Sequence, residues 1–234
     1  MSRSGIDVSV VIPVRNGEHF VAEAIDSAFS QTGVSLEVIV VDNLSADRTR
    51  EVVAARYGDS VILTHEPRPG GAAARNTGAR MATGTYLAFL DADDVWLPRK
   101  IELQIHELAT RPGTDLVFTH CQEFHDPVLT PEERARFTCR TAPYPFIAAS
   151  TSMLKREAFL RAGDFPDVRA GEFIAWYGWT QALGLGAFVM PDVLVRRRVH
   201  GKNTSLDPAS LSAYPLAAKW LLDRRRQAQQ IRNG

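Results

Sequence analysis

The chain begins its apolar pattern with Val8-Ser9-Val10-Val11-Ile12, a short run with one small polar interruption. A nearly continuous run of this length is what a strand buried on both faces requires. After Asn16-Gly17 the period changes: Phe20, Val21, Ala24, Ile25, Ala28 and Phe29 recur at helical spacing and form one stripe. The alternation then repeats. A second buried strand is predicted over 36–41, and Ser45-Ala46-Asp47 opens a helix carrying Val52 and Val53. A third strand covers 61–64. Pro67-Arg68-Pro69-Gly70-Gly71 is a loop signal ahead of a helix-like stretch over 72–82, and a fourth strand over 85–90 ends on Asp91-Ala92-Asp93-Asp94. A helix over 98–111 and a strand over 116–120 follow. This β-α-β-α order predicts an α/β fold, a mostly parallel sheet flanked by helices on both faces.

Beyond His120 the rhythm loosens. Thr130-Pro131-Glu132-Glu133 combines an N-cap residue, a proline at the first helical position and a capping-box glutamate, which predicts a short helix. The segment 146–154 reads as extended, 156–162 and 172–183 as helices, and 193–199 as a late strand. The tail over 208–232 reads as an amphipathic helix with Leu216, Trp220 and Leu221 on one side. With no internal repeat, 234 residues fit a single domain: about 5–120, about 121–205, and a C-terminal helix over about 206–234.

Charge narrows the partners. Lys+Arg and Asp+Glu balance at 27 each, so the overall field gives no reason to expect nucleic acid. The run Arg196-Arg197-Arg198 is the local exception, either a phosphate attractor or a solvated edge. No stretch is long and apolar enough for a transmembrane segment, and the opening residues carry no signal-peptide pattern. Cys121 and Cys139 lack a metal-ligand spacing and read as reduced thiols, so a cytoplasmic location is expected.

In an open parallel sheet, ligands bind beyond the carboxyl ends of the strands. Here those ends deliver Pro13, Val14, Arg15 and Asn16 from the first strand, Asp42 and Asn43 from the second, and Asp91, Asp93 and Asp94 from the fourth. Four carboxylates converging on one edge repel unless a cation or hydrogen-bond donors separate them. Asp91 and Asp93, two apart in an extended segment, point to the same side. A hard cation, Mn²⁺ or Mg²⁺, suits such oxygen ligands and stabilises negative charge developing on a departing diphosphate. A solvated acidic turn capping the next helix is the competing reading.

The blocks VSVVIPVRNG, LEVIVVDN and GGAAARNTGARMATGTYLAFLDADDVW, in that order, resemble glycosyltransferase family 2, as do 158–167 and RRRVHGKNTS near the end. The resemblance covers some two-thirds of the chain. It implies a GT-A-type, Rossmann-like fold, a nucleotide-sugar donor (commonly UDP-linked), Mn²⁺ or Mg²⁺, and inversion at the anomeric carbon. Carried onto this chain, it puts Pro13, Val14 and Arg15 beside the base, with Asp42 accepting a hydrogen bond from it. Arg75 falls near the diphosphate or sugar, Asp91 at the ribose or metal, Asp93 as principal metal ligand, and His200 at the metal or diphosphate. The first 120 residues would then handle the nucleotide and the following segment the acceptor.

Each assignment has a plainer competitor. Asp42 could cap the next helix, Arg75 could be a surface helix residue, and Trp96, Trp176 and Trp179 read better as core than as sugar platforms. The pattern also departs from the family at the catalytic base. Where the family carries Glu-Asp at a helix start, this chain has Glu172-Phe173, and Ala175 is also not acidic. Glu172 is the favoured base, with Asp164 or Asp167 as alternatives. A sugar-nucleotide-binding protein with weak or no transfer is the third possibility. Asn43, where a second aspartate is commoner, would still hydrogen-bond a ribose or base. A nicotinamide oxidoreductase is disfavoured, since no GxGxxG follows the first strand. The acceptor, whether saccharide, peptide or small molecule, has no readable motif.

Overall fold

The computed structural model describes residues 5–203, 210 and 212–233, with side chains to 230. The alternation read from the first 120 residues holds. Strands β1 (Val8–Val14), β2 (Leu36–Asp42), β3 (Ile62–His65) and β4 (Tyr86–Phe89) are joined by helices α1 (Val21–Phe29), α2 (Thr49–Tyr57) and α3 (Gly71–Met81). All four strands run parallel, in the order β3-β2-β1-β4. The second half contributes β5 (Val95–Trp96), α4 (Lys100–Thr110), β6 (Leu116–His125), α5 (Pro131–Arg136), β7 (Tyr144–Pro145) and β8 (Met153–Lys155). It closes with α6 (Arg156–Ala162), α7 (Glu172–Ala182), β9 (Ala187–Val199) and α8 (Tyr214–Asn233). These strands extend the same sheet in the order β4-β8-β6-β9-β5, with β7 paired to β6. Strands β8, β5 and β7 run antiparallel to their neighbours; β6 and β9 run parallel to each other.

Strand periodicity divides the core between two faces. Val8, Val10, Ile12 and Val14 of β1 point with Val38 and Val40 of β2 toward Ala24, Ile25, Val53, Ile101 and Leu108 of α1, α2 and α4. Val11, Ile39, Val41, Leu87 and Phe89 face the other way, onto Ala74, Ala79, Phe159, Phe173, Trp176 and Trp179 of α3, α6 and α7. Trp96, Trp176 and Trp179 are buried, and each indole N–H donates to a backbone carbonyl, so all three are core.

Three expectations need correction. The extended segment expected over 146–154 shrinks to β8, because Thr151 Oγ1 bonds the carbonyls of Phe146 and Ala148 and folds that stretch into a turn. The late strand is longer than expected: it begins at Ala187 instead of 193, and the ladder with β6 absorbs Pro191 and Asp192 in a register shift. In α8 the buried side carries Ala217 with Trp220 and Leu221 packed in, while Leu216 is 58% exposed. Small residues explain the rotation. A side chain at Gly178 would lie 2.6 Å from Leu221, and one at Gly171 would meet Tyr214 and Ala217. Residues 208, 209 and 211 of the expected tail helix lie outside the described residues. The capping box at Thr130 and Glu133 forms as read.

Candidate active site

The loops at the carboxyl edge are clipped to one another. Asn16 adopts a left-handed conformation (φ 53°), which an asparagine tolerates better than most residues. Its N–H donates to Ser45 Oγ, and its side-chain oxygen accepts from Ala46 N–H. Gly17 N–H donates to Thr49 Oγ1, and Glu18 N–H to Asp47. These bonds tie the β1–α1 and β2–α2 loops together, with Pro13 half-buried, Val14 buried and Arg15 exposed at their junction.

Asp42 closes β2 directly opposite Val14 and is 1% exposed. His65 Nδ1 lies 3.4 Å from its Oδ2, while Oδ1 is buried without a hydrogen-bond partner. Asp42 makes no helix-capping bond; Asp47 takes that role by accepting from Thr49 N–H. Asn43 turns away from the edge. Its amide donates to the carbonyls of Glu66 and Arg68 and accepts from Gly70 N–H, so it stitches the β3–α3 loop instead of facing a ligand. Glu66 anchors the same loop through Arg68 and Thr77. Hydrogen bonds from Arg68 outweigh the opposing burial and hold its carboxyl down at about 2.

Arg75 lies on α3 with a side chain only 10% exposed. Its Nη2 donates to Asp91 Oδ1 at 2.5 Å and its Nη1 to Glu172 Oε1 at 2.7 Å. Burial alone disfavours the guanidinium charge, but Asp91 and Glu172 more than offset it and push the arginine further toward the charged form. The surface-helix alternative for Arg75 is excluded by this burial. Gly71 leaves the room: a Cβ there would stand 2.8 Å from Nη1 and 3.4 Å from Glu172 Oε1.

The acidic turn after β4 is held from three sides. Asp91 N–H donates to Ser150 Oγ. Arg198, buried, donates through its backbone N–H to Asp94 Oδ1 and through Nε to the Asp93 carbonyl, and pairs with Glu23 on α1. Asp94 is buried, and desolvation first, then Asp93 and Asp91, raises its carboxyl well above the usual range. Asp93 keeps more contact with solvent. Its Oδ2 receives His200 Nε2 at 3.0 Å and Asn203 Nδ2 at 3.2 Å. Since His200 Nδ1 accepts the Lys202 N–H, the ring proton sits on Nε2 and faces Asp93.

Among the described residues, no three His, Cys, Asp or Glu side chains form a ready metal cage. Asp91, Asp93 and Asp94 stand together on the turn after β4, each with its own surroundings: Asp91 is engaged by Arg75, Asp93 by His200 and Asn203, and Asp94 is buried, while Asp42 at the end of β2 is engaged by His65. The remaining donors still suit Mg²⁺ or Mn²⁺, which take one or two carboxylates and fill their shell with water and substrate phosphate. Both contacts on Asp93 reach Oδ2, an arrangement that orients the carboxylate from behind. Direct ligation by His200 Nε2 requires its proton to move to Nδ1, where the Lys202 amide now donates.

The arginine run is neither a phosphate patch nor a solvated edge. Arg198 is buried, Arg197 pairs with Glu123 at 2.5 Å, and Arg196 alone is exposed, over the Phe124 ring. Phe173, in the place of the second acid, is buried against Phe118, Phe165 and Trp176. Asp164 and Asp167 are exposed, and Asp164 pairs with Arg80. Sequence reasoning missed Ser150 and Asn203. The Asn203 signal, a polar residue three past a histidine in a glycine turn, was available; Ser150 had none.

An open sheet beginning 3-2-1-4, with polar loops meeting at its carboxyl edge, defines an α/β protein built to bind a ligand there. A family model, Glycosyl transferase family 2, matches residues 9–162. The chain belongs to glycosyl transferase family 2. It is similar to the UDP-Glc:alpha-D-GlcNAc-diphosphoundecaprenol beta-1,3-glucosyltransferase WfgD of Escherichia coli, 43% identical over 42% of this chain and 39% of that protein. The chain spans 34% to 39% of the length of the Rickettsia prowazekii and Escherichia coli relatives it matches. Two solved structures share its GT-A fold. The mannosyltransferase PcManGT from Pyrobaculum calidifontis, in complex with GDP-Man and Mn²⁺, has a TM-score of 0.65 at 22% identity, over 99% of this chain and 66% of that one. Glucosyl-3-phosphoglycerate synthase from Mycobacterium tuberculosis, in complex with Mn²⁺, UDP and phosphoglyceric acid, has 0.65 at 22%, over 95% and 80%. Among the described residues, no helix is long and apolar enough to cross a membrane.

Proposed function

We propose that the protein is an inverting glycosyltransferase that moves a sugar from a nucleotide-diphospho-sugar, a UDP-sugar first, to an acceptor hydroxyl. Asp42 carries the reading. A buried carboxylate oxygen without a donor is unfavourable unless a ligand completes it. A ring N–H does so, and uracil, thymine and guanine present one at the pairing edge, where adenine and cytosine present a bare ring nitrogen. The UDP-Glc in the name of WfgD and the UDP held by the mycobacterial enzyme support uracil among the three.

In this reading Pro13, Val14 and Arg15 flank the base, Arg75 and Asp91 receive the diphosphate and sugar, and Asp93 holds Mn²⁺ or Mg²⁺ with His200 beside it. The bound cation would supply positive charge to the leaving diphosphate. Glu172 takes the proton from the acceptor hydroxyl as its oxygen attacks the anomeric carbon. The bond from that carbon to the diphosphate breaks on the opposite face, the nucleoside diphosphate leaves, and configuration inverts. The saccharide acceptor in the WfgD name favours a sugar over a peptide or another small molecule. Two observations favour donor binding without efficient transfer: Phe173 stands where the family carries an acid, and Glu172 is tied to Arg75.

Calorimetric titration with UDP, GDP, ADP and dTDP, with and without Mn²⁺, on wild type and Asp93→Ala, tests the donor site. UDP binding that needs both Mn²⁺ and Asp93 is expected. No nucleotide binding under any condition overturns the proposal. Tight binding with neither transfer nor donor hydrolysis selects the binding-only reading.

A further inference from the structure

Arg75 joins the end of β4 to the start of α7. Its two terminal nitrogens hold Asp91, at the end of β4, and Glu172, at the start of α7, in one planar fork. We propose that Arg75 holds Glu172 out of action until a nucleoside diphosphate binds, so that donor binding and release of the base are a single event. This rests on the donor site proposed above and adds an order to it: donor first, then acceptor activation.

The geometry supports the coupling in three ways. First, Glu172 Oε1 faces a guanidinium N–H at 2.7 Å, so that oxygen is occupied and the carboxylate is held toward Arg75 rather than toward an acceptor hydroxyl. Secondly, Arg75 Nε is buried with no hydrogen-bond partner, so a turn of the guanidinium that brings Nε to a phosphate oxygen satisfies a donor left unpaired in the present position. Thirdly, the space around Nη1 exists only because residue 71 is glycine, and the same space lets the fork turn. A diphosphate arriving beside Asp91 brings more negative charge than a single carboxylate. The guanidinium then swings toward the phosphates and its Nη1 leaves Glu172. Asp164 and Asp167 stand outside this triad on the exposed rim. An order of this kind keeps the base from activating water or acceptor before a donor is present.

The coupling makes a prediction that a propping role for Glu172 reverses. If Glu172 competes with the diphosphate for Arg75, removing its charge strengthens nucleotide binding. Titration of UDP in the presence of Mn²⁺ should give a dissociation constant roughly 3- to 10-fold lower for Glu172→Gln than for wild type, the size expected for relief of one partly screened ion pair. Glu172→Ala, which leaves no amide to bond Arg75, should move the affinity in the same direction, and thermal unfolding of both variants establishes that they fold. Weaker or unchanged UDP binding in the variants overturns the proposal, because Glu172 would then be orienting Arg75 or standing apart from it. A wild-type protein that binds no nucleotide is a different result, and it removes the donor site itself.

Discussion

At the scale of single residues, the site is a set of carboxylates given different surroundings. Asp42 is buried with one oxygen unpartnered, an arrangement that disfavours folding unless a ligand completes it. Asp42→Asn should therefore raise the thermal midpoint of the free protein while weakening UDP binding about tenfold or more, since the amide no longer offers a charged acceptor to the base. Unfolding and titration of the same preparation check both halves, and a midpoint that falls together with affinity denies the trade. Glu66 is the opposite case, fully partnered. Its folded carboxyl sits at about 2 against 4.5 for the free group, so it contributes stability above pH 4.5 that is lost as pH falls toward 2. Arg68, its main partner, is 65% exposed and screened, which discounts the effect to on the order of 1–2 kcal/mol. Glu66→Gln should be less stable than wild type by that amount at pH 6, and the difference should vanish near pH 2. Residues of the first kind were legible because Asp42, Asp91 and Asp93 end apolar runs. The Arg75–Glu172 pair, 97 positions apart, and the Arg198 contacts with the acidic turn, more than 100 apart, have no local signature.

At the scale of elements, the first four strands and three helices were readable because each follows one period and each connection is short. The second half was readable only in pieces. Strand β9 passes through Pro191, β5 has two residues, and the turn before β8 is set by side-chain bonds that no hydrophobic pattern encodes. Helix α3 shows how packing reverses a local preference. Gly78 sits mid-helix, where alanine would ordinarily gain up to about 1 kcal/mol. Yet a Cβ at 78 would lie 2.3 Å from Val11 Cγ1 and 3.2 Å from Val41 Cγ2. Both valines are fully buried and stiff at χ1, so neither can yield cheaply. Gly78→Ala is expected to destabilise by about 1–3 kcal/mol, the range for overpacking a filled core. Chemical denaturation reads the sign directly: a stabilised variant would mean that α3 lifts off the sheet without penalty.

At the scale of the whole molecule, the first and second halves share one continuous sheet, with β4 and β8 adjacent and both faces covered across the join. We take the described chain as a single cooperative unit on that ground, and the tryptophans allow a test. Three of the four tryptophans, Trp176, Trp179 and Trp220, lie in α7 and α8, so fluorescence reports chiefly the second half, whereas far-ultraviolet circular dichroism reports every helix. If the halves fold together, the two signals follow one thermal transition. The donor site proposed here draws Asp42 and Arg75 from the first half and Glu172 and His200 from the second. UDP with Mn²⁺ at about 100 times its dissociation constant adds about 2.7 kcal/mol, roughly 5–10 °C for a chain of this size. That shift should appear equally in both signals. A fluorescence transition that separates from the dichroism, or that stays in place while the dichroism moves, would mean that the halves unfold independently and that the nucleotide is bound by the first half alone.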